Sequence, residues 1–477
     1  MKRYERYAQE ITALIKAQTL RPGERLPSVR QASASRKISP STVFEAYYLL
    51  EARGLIQAKP RSGYYVSAQL VPAQAEPATA LPGSQSTLVS ISDLVFEVLE
   101  STRHLDVVPL GSAFPSPSLF PLDKLARGLT PAMRKLEPDR MVEDLTIGNE
   151  RLRRQIGLRY AMHGAVVEAE EIVITNGAME ALNLCLQAVT QPGDVVAVES
   201  PTFYSALQAL ERLNLRAVEV ATHPRDGVDL DSLAQVLQRH PVKACWFMPN
   251  FQNPLGSLMP DRRKQALVEL LARHGVPLIE DDVYGELYFG LERPLPAKVH
   301  DRQGLVMHCS SFSKCLAPGY RVGWVAAGRF AQTVQRLKLM TTLSTAIPSQ
   351  LAISDYLQGS GYERHLRQLR QVLASQQARA LDLIARHFPE GTRVTRPEGG
   401  YFLWLELPPQ VDALQLHRRA LAQRISIAPG HLFSADRRFR HCLRLNYGYP
   451  GDARLDDALK TVGQLAHGLC GNPQSAA

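Results

Sequence analysis

Residues 308–324 read HCSSFSKCLAPGYRVGW, and the reading of the fold starts there. The run LVMHC just before it, residues 305–309, is short and apolar and reads as a buried strand. Lys314 therefore falls just beyond a strand end, with Arg321 seven residues further on. Moving outward, EIVIT (171–175), DVVAV (194–198), ACWFM (244–248), PLIED (277–281) and VGWVAA (322–327) read as further buried strands. The segments MEALNLCLQAV (179–189), TFYSALQALERL (202–213) and DRRKQALVELLARH (261–274) read as helices between them. This alternation predicts an α/β body with a mainly parallel sheet covered by helices on both faces. In such sheets ligands bind beyond the carboxyl ends of the strands.

The chemically able residues fall at those ends. A Lys in a partly apolar pocket can lose its proton and form a Schiff base with an aldehyde, which suits Lys314. Arg321 could hold a phosphate together with a Ser hydroxyl. EDDVYGELYF (280–289) puts Asp281 and Tyr284 at another strand end, and a buried carboxylate can keep a pyridinium nitrogen protonated. MPNFQNPLGS (248–257) puts Asn253 at a third, where its amide can donate to a phenolate oxygen. TNGAMEAL (175–182) is a strand, a Gly and a helix start; the N–H groups of Ala178 and Met179, after Gly177, can face a phosphate. ESPTFYS (199–205) places Phe203 where its ring could stack on a flat ligand. Taken singly, a Ser-Lys after a strand is usually structural and an Asn-Pro usually a turn. Their combination, in this order on successive strands, is hard to obtain by chance.

Composition sets the limits. The chain has 477 residues, 45% hydrophobic and 21% charged, with 31 Gly and 32 Pro. That excludes a disordered chain, a collagen-like repeat and a small disulfide scaffold. Six Cys, at 185, 245, 309, 315, 442 and 470, form no CxxC pair and no metal-ligand spacing, and read as reduced packing residues of a cytoplasmic protein. No signal-peptide core and no apolar run of about 18 residues is present, so no membrane span is expected. The net charge of +9 is unevenly placed. Residues 1–70 hold 12 Lys/Arg and 5 Asp/Glu, or +7; the remaining 407 hold 43 and 41, or +2. A basic head on a nearly neutral body suggests a polyanionic partner, against the plainer alternative of a solvated charged face.

Three regions follow: a head over 1–66, a linker over 67–87 with Pro72, Pro77 and Pro82, and a body over 88–469. The body divides into a large part at about 108–345 and a smaller C-terminal α+β part at about 360–469. In the head, Tyr4, Tyr7, Ala8, Ile11, Leu14 and Ile15 form one helical stripe. A second helix is expected to begin near Pro27. A third begins at Pro40, with Ser39 as N-cap and Val43, Ala46, Tyr47 and Leu50 buried; Gly54 stops it. LIQAKPRSGYYV (55–66) reads as two strands around the basic turn Lys59–Gly63. This order is that of a winged helix-turn-helix, whose third helix enters the major groove of double-stranded DNA.

The head resembles the DNA-binding domain of the GntR family in PGERLPSVR, STVFEAYYLLEARGLI and SGYYV. The resemblance implies DNA contacts at Arg30, Ser41 and Thr42 and on the wing at Lys59, Arg61 and Gly63, with Arg61 expected on a phosphate. Pro40 stands where the family often has Arg, so base readout there must differ. The body resembles fold type I pyridoxal-phosphate enzymes, the aspartate aminotransferase superfamily, over about 108–468. That resemblance implies pyridoxal 5′-phosphate as cofactor, with Lys314 and Asp281 the catalytic pair. Lys314 is the internal-aldimine lysine, Asp281 the pyridine-nitrogen partner, and Asn253 and Tyr284 the ligands of the 3′-oxygen. Ser311, Arg321 and Gly177, Ala178 and Met179 form the phosphate cup. In RHCLRLNYGY (440–449), Arg444 is expected to fork onto a ligand carboxylate. YFLWLEL (401–407) and ISIAPG (425–430) match the family's small domain. One departure is at MVEDLTIGNERLRRQ (141–155), where Glu143 and Asp144 stand in place of a Tyr that reaches the partner subunit's phosphate.

Head, linker and body together resemble the MocR subfamily of GntR regulators. That implies a cytoplasmic, head-to-tail homodimeric, DNA-binding regulator that senses an amino compound, or the cofactor itself, through aldimine exchange at Lys314. The alternative is an aminotransferase with an accessory DNA-binding head. An inactive scaffold with a vestigial pocket is disfavoured by the full Lys314, Asp281, Asn253, Arg321 and Arg444 set.

Overall fold

The computed structural model describes residues 3–17, 19–52, 55–59, 62–67, 74–100, 106–134, 136, 146–449 and 451–470. The head is three helices and a hairpin: α1 (Arg3–Lys16), α2 (Val29–Arg36), α3 (Pro40–Ala52), β1 (Ile56–Lys59) and β2 (Gly63–Val66). The expected α1 stripe is its core side: Tyr4, Tyr7, Ala8, Ile11 and Ile15 are buried in one cluster with Val43, Ala46, Tyr47 and Leu50 of α3. Leu14 is only half-buried. Helix α2 starts at Val29, two residues past Pro27, because Ser28 caps it: the Ser28 hydroxyl accepts from Gln31 N and the Gln31 side chain accepts from Ser28 N. Ser39 caps α3 by accepting from Thr42 N at 3.2 Å. The hairpin is antiparallel, with Ile56 opposite Val66 and Lys59 opposite Gly63. Gly54, Arg61 and the side chain of Lys59 lie outside the described residues.

The body is built on one large sheet. Its strands run Thr87–Leu88, Arg216–His223, Val195–Ser200, Val242–Phe247, Leu278–Asp281, Val306–Ser311, Gly323–Ala326 and Ile172–Thr175, with Gly227–Val228 paired to Arg216–His223. The central strands are parallel and almost wholly buried, as near-continuous apolar runs require. The helices Ala178–Val189, Tyr204–Arg212 and Asp261–His274 stand where the apolar periodicity places them. The strand Arg216–His223 and the helix Leu230–Arg239 were not foreseen. The sheet is mixed: Gly323–Ala326 runs antiparallel to both its neighbours. The reason is the length of the connection. After Ser311 the chain passes Lys314 and turns back through Pro318–Tyr320 and Arg321, at φ +51°, with no crossover helix to carry it to the other end of the sheet.

The C-terminal part has a four-stranded antiparallel sheet, in the order Arg393–Val394, Phe402–Glu406, Cys442–Asn446 and Ala428–Pro429. The helices Gly361–His387, Ala413–Ala422 and Ala453–Cys470 accompany it. Val108–Pro109 pairs in parallel with the sequence-distant Ile425–Ser426 as a separate two-stranded sheet. Residues 74–86 have no helix or strand, as a linker composition suggests, but they are laid along the body. Ala75 O accepts from Val394 N at 3.0 Å and Leu81 O from Arg438 at 3.1 Å. Ser84 O meets His240 at 2.9 Å, and Ser86 O accepts from Arg216 at 2.6 Å. Among the described residues no helix is long and apolar enough to cross a membrane, and no group of side chains could hold a metal ion.

Candidate coenzyme and ligand site

The strand ends converge. Lys314 lies on the turn after Val306–Ser311; its Nζ donates to Ala113 O at 2.9 Å and sits 3.6 Å from the Phe114 ring centroid. Burial, and then the nearby Arg444 cation, push its pKa down to about 7, with Asp281 pulling the other way. Lys314 is thus an amine that is largely free of its proton just above neutral pH, as nucleophilic chemistry at a carbonyl requires.

Asp281 ends the strand Leu278–Asp281 and is buried. Burial raises its pKa to about 7 against a backbone hydrogen bond from Val283. Its Oδ1 has no partner. Asp282, one residue on, points the other way, as alternation along an extended chain requires. It accepts from Asn250 at 3.0 Å and Arg293 at 2.8 Å, and meets His308 Nε2 at 3.0 Å. Burial pushes its carboxyl up, but Arg293 and His308 outweigh that and hold it below the ordinary range. Two adjacent carboxylates therefore have opposite duties: one is fully paired, the other is left with an open oxygen.

Asn253 stands on the loop beyond Val242–Phe247 and bridges two groups. Its Nδ2 donates to Tyr284 Oη at 3.4 Å and its Oδ1 accepts from Arg444 at 3.0 Å. Burial raises the Tyr284 pKa and keeps its hydroxyl protonated. Arg444 is not a surface residue of an edge strand. It sits mid-strand between Trp404 and Ala428 and is fully buried. It also donates to Gly111 O at 2.8 Å and Ser112 O at 3.3 Å, and its guanidinium lies 4.2 Å from the Phe402 ring centroid. Its Nε has no partner.

The corner expected to take a phosphate joins a helix N-terminus to Arg321. Gly177, at φ +88°, caps the helix Ala178–Val189, whose first N–H groups have no intrahelical acceptor. A side chain at Gly177 would strike the Arg321 guanidinium, so only Gly leaves that corner open. Arg321 donates to Asn176 O at 3.0 Å and to Ser313 Oγ at 3.4 Å. Ser311, buried at the strand end, accepts from Ser313 N at 3.4 Å; the hydroxyl within reach of Arg321 is that of Ser313. Met179 is half-buried on the first helical turn. Phe203, also half-buried, precedes the helix Tyr204–Arg212, its ring 4.7 Å from that of Tyr204. Glu143 and Asp144 lie outside the described residues.

Sequence reasoning missed the segment 111–114, which supplies three carbonyls and a ring to Lys314 and Arg444. Its only signal is an irregular Gly/Ser/Pro-rich run, LGSAFPSPS. Tyr401, whose hydroxyl donates to Ala113 O at 3.1 Å, was missed too. In the head, Arg30, Ser41 and Gly63 are exposed and Thr42 is partly so. The Ser41 and Thr42 hydroxyls each lie 2.8 Å from Ser39 Oγ.

A lysine with a depressed pKa, a buried carboxylate with an open oxygen, and a glycine-opened helix N-terminus beside an arginine define a class of protein: the aminotransferase fold with a pyridoxal-phosphate site, here behind a DNA-binding head. Residues 146–461 match the model for aminotransferase class I and II, and residues 3–66 match that for bacterial regulatory proteins of the gntR family. The chain belongs to the aminotransferase class I and II family and carries a gntR-type regulatory domain ahead of it. It is 48% identical over 465 residues to the HTH-type transcriptional regulator YdcR of Escherichia coli, covering 98% of this chain and 99% of the relative. Among solved structures it resembles the multiple substrate aminotransferase of Thermococcus profundus. The TM-score is 0.73 at 27% identity, covering 79% of this chain and 95% of that one. It also resembles LysN, the alpha-aminoadipate aminotransferase of Thermus thermophilus, complexed with N-(5′-phosphopyridoxyl)-L-leucine. Here the TM-score is 0.70 at 29% identity, covering 80% of this chain and 100% of that one. The chain is a pyridoxal-phosphate-dependent DNA-binding regulator of the MocR type.

Proposed function

We propose that the body senses a carboxylate-bearing amino compound bound between Lys314 and Arg444, and that binding there changes the affinity of the head for double-stranded DNA. When bound, pyridoxal phosphate supplies an aldehyde for amines and a ring that withdraws electrons when its nitrogen is protonated. Lys314 would offer its Nζ to the aldehyde, and Asp281, with its open Oδ1, would hold the ring nitrogen. Asn253 and Tyr284 would hold the ring oxygen. The Gly177–Met179 turn, Ser311 and Arg321 would hold the phosphate, and Phe203 would stack on the ring.

The observation that carries the ligand class is Arg444. A fully buried guanidinium with an open Nε, hydrogen-bonded to Asn253, is costly to keep without an anion nearby. Its forked geometry suits a carboxylate. Two heads for two half-sites support a head-to-tail homodimer, and a DNA-binding role supports a cytoplasmic location.

The test is a titration of coenzyme-loaded protein with amino acids and their decarboxylated amines. Coenzyme absorbance and DNA affinity are read together. Amino acids should perturb both, the amines far less, and Arg444→Lys should weaken the amino-acid response about tenfold or more. A response blind to the carboxylate overturns the ligand class. The intact Lys314–Asp281 pair favours turnover as the second reading. Steady transamination of amino acids, with DNA affinity indifferent to them, would establish it instead.

A further inference from the structure

The third helix of the head is chemically unusual for a groove reader. Its sequence, PSTVFEAYYLLEA, contains no Lys, Arg, Asn or Gln. The side chains that most often read guanine and adenine edges are therefore absent from it.

Its remaining chemistry can be assigned residue by residue. Val43, Ala46, Tyr47 and Leu50 are fully buried in the head. The Ser41 and Thr42 hydroxyls are drawn to Ser39 at the cap. Glu51 accepts from Ala58 N of the wing at 2.7 Å. Tyr48 is half-buried where the helix meets the body, near Arg370 and Tyr288. Phe44 and Glu45 are left. Phe44 is 54% exposed, and Glu45 is exposed and makes no ion pair or hydrogen bond among the described residues.

A single exposed Phe needs no explanation by itself. Here it stands beside a free carboxylate on the first turns of the helix of a head that carries +7 over residues 1–70. Phosphates repel a carboxylate at a DNA surface. Glu45 suits that position only if a base donates to it, and the major-groove donor with no adjacent acceptor is the cytosine N4 amine. The matching apolar feature for Phe44 is the thymine C5 methyl. Successive helical residues project about 100° apart, so the two side chains leave the helix in different directions.

We infer that α3 reads pyrimidine edges: Phe44 packs on a thymine methyl and Glu45 accepts from a cytosine amine at an adjacent pair. This rests on the reading that the head inserts α3 into the major groove. Arginines elsewhere in the head then anchor phosphates without supplying base choice.

The experiment uses the full chain and duplexes selected from a random library. Each thymine is replaced in turn by deoxyuridine, which removes only the methyl. At one position wild-type affinity should fall about fourfold, the factor one buried methyl is worth. Phe44→Ala should bind the thymine and uridine duplexes equally. Glu45→Gln should lose about tenfold of its preference for cytosine at a neighbouring pair. Both side chains are exposed, so these variants keep the head's core. No methyl-sensitive thymine, or the same loss in Phe44→Ala, overturns the assignment while leaving DNA binding intact. No duplex binding by the full chain overturns the groove-insertion reading itself, and the inference with it.

Discussion

Asp281→Asn should make the coenzyme-free protein more stable and the coenzyme harder to retain. The structure sets the size of the first effect. Burial lifts the Asp281 pKa from 3.8 to about 7. Between those values the folded state binds more protons than the unfolded one, so wild-type stability falls as pH rises through the window. Above it the cost of the buried charge is at its full value, about 4 kcal/mol at roughly 1.36 kcal/mol per pH unit. At pH 5 only the first part of the interval has been crossed, and the cost is a little over a third of that, about 1–2 kcal/mol. Asn cannot ionise and keeps an oxygen for the Val283 N–H, so the variant escapes this cost. A body of this length carries an unfolding entropy of ~0.8 kcal/mol per kelvin. The melting temperature of coenzyme-free Asp281→Asn should then exceed that of wild type by about 5 °C at pH 8 and by about 2 °C at pH 5. Calorimetry of both proteins stripped of coenzyme reads this directly. Coenzyme affinity, titrated by absorbance at pH 8, should move the other way, because the ring nitrogen would lose the anionic partner proposed for it. A variant no more stable at pH 8, or an advantage that grows toward acid, would refute the reasoning.

Reduction with borohydride should attach the coenzyme to Lys314 alone, as peptide mapping would show, and Lys314→Ala should abolish the attachment while leaving the fold. Arg293→Leu should destabilise the body by about 3–5 kcal/mol, because the buried Asp282 would lose the guanidinium that pairs with it at 2.8 Å, while Glu286 keeps Arg159 and Arg370; denaturant midpoints compare it with wild type, and an unchanged midpoint would show that the Asp282 pair carries no net weight. Arg30→Ala should flatten the log–log salt dependence of DNA binding by about one unit if Arg30 contacts one phosphate.

The placement of the candidate site was legible where its parts are side chains at strand ends. Lys314, Asp281 and Tyr284 could be placed because an apolar run followed by a polar residue marks a strand end, whatever the partner. Asp282 could be told from Asp281 by alternation alone. Illegible were contributions made by backbone. Ala113, Gly111 and Ser112 offer carbonyls, and a carbonyl has no residue type to betray it. The antiparallel return of Gly323–Ala326 was hidden for a related reason. Its residues look like any buried strand, and direction is set by the short turn before it. The burial of Arg444 depends on pairing between Phe402–Glu406 and Cys442–Asn446, a match of register that no local pattern contains.

We propose that the step from ligand to DNA passes through the linker, whose described residues 74–86 are held against the body. The described stretch is fixed to different parts of the body: Ala75 to Val394 and Leu81 to Arg438 on the C-terminal side, Ser84 to His240 at the end of the helix Leu230–Arg239 and Ser86 to Arg216 on the large sheet. A ligand that draws Arg444 toward Lys314 changes the spacing of those two sides. The strap must then yield between residues 81 and 84, or pass the displacement toward the head. Removing either anchor gives the first outcome without touching the site. Arg438→Ala and Arg216→Ala should therefore leave ligand titrations of coenzyme absorbance unchanged and shrink the ligand effect on DNA affinity. A coupling of ordinary size, about 1–3 kcal/mol, is roughly a 5- to 150-fold change in DNA affinity, ample to measure the loss. Reciprocity adds an internal check: operator DNA should shift ligand affinity by the same factor in wild type and by the same smaller factor in each variant. Full coupling retained in both variants would show that the message travels elsewhere, the contact of α3 near Arg370 being another described route between body and head.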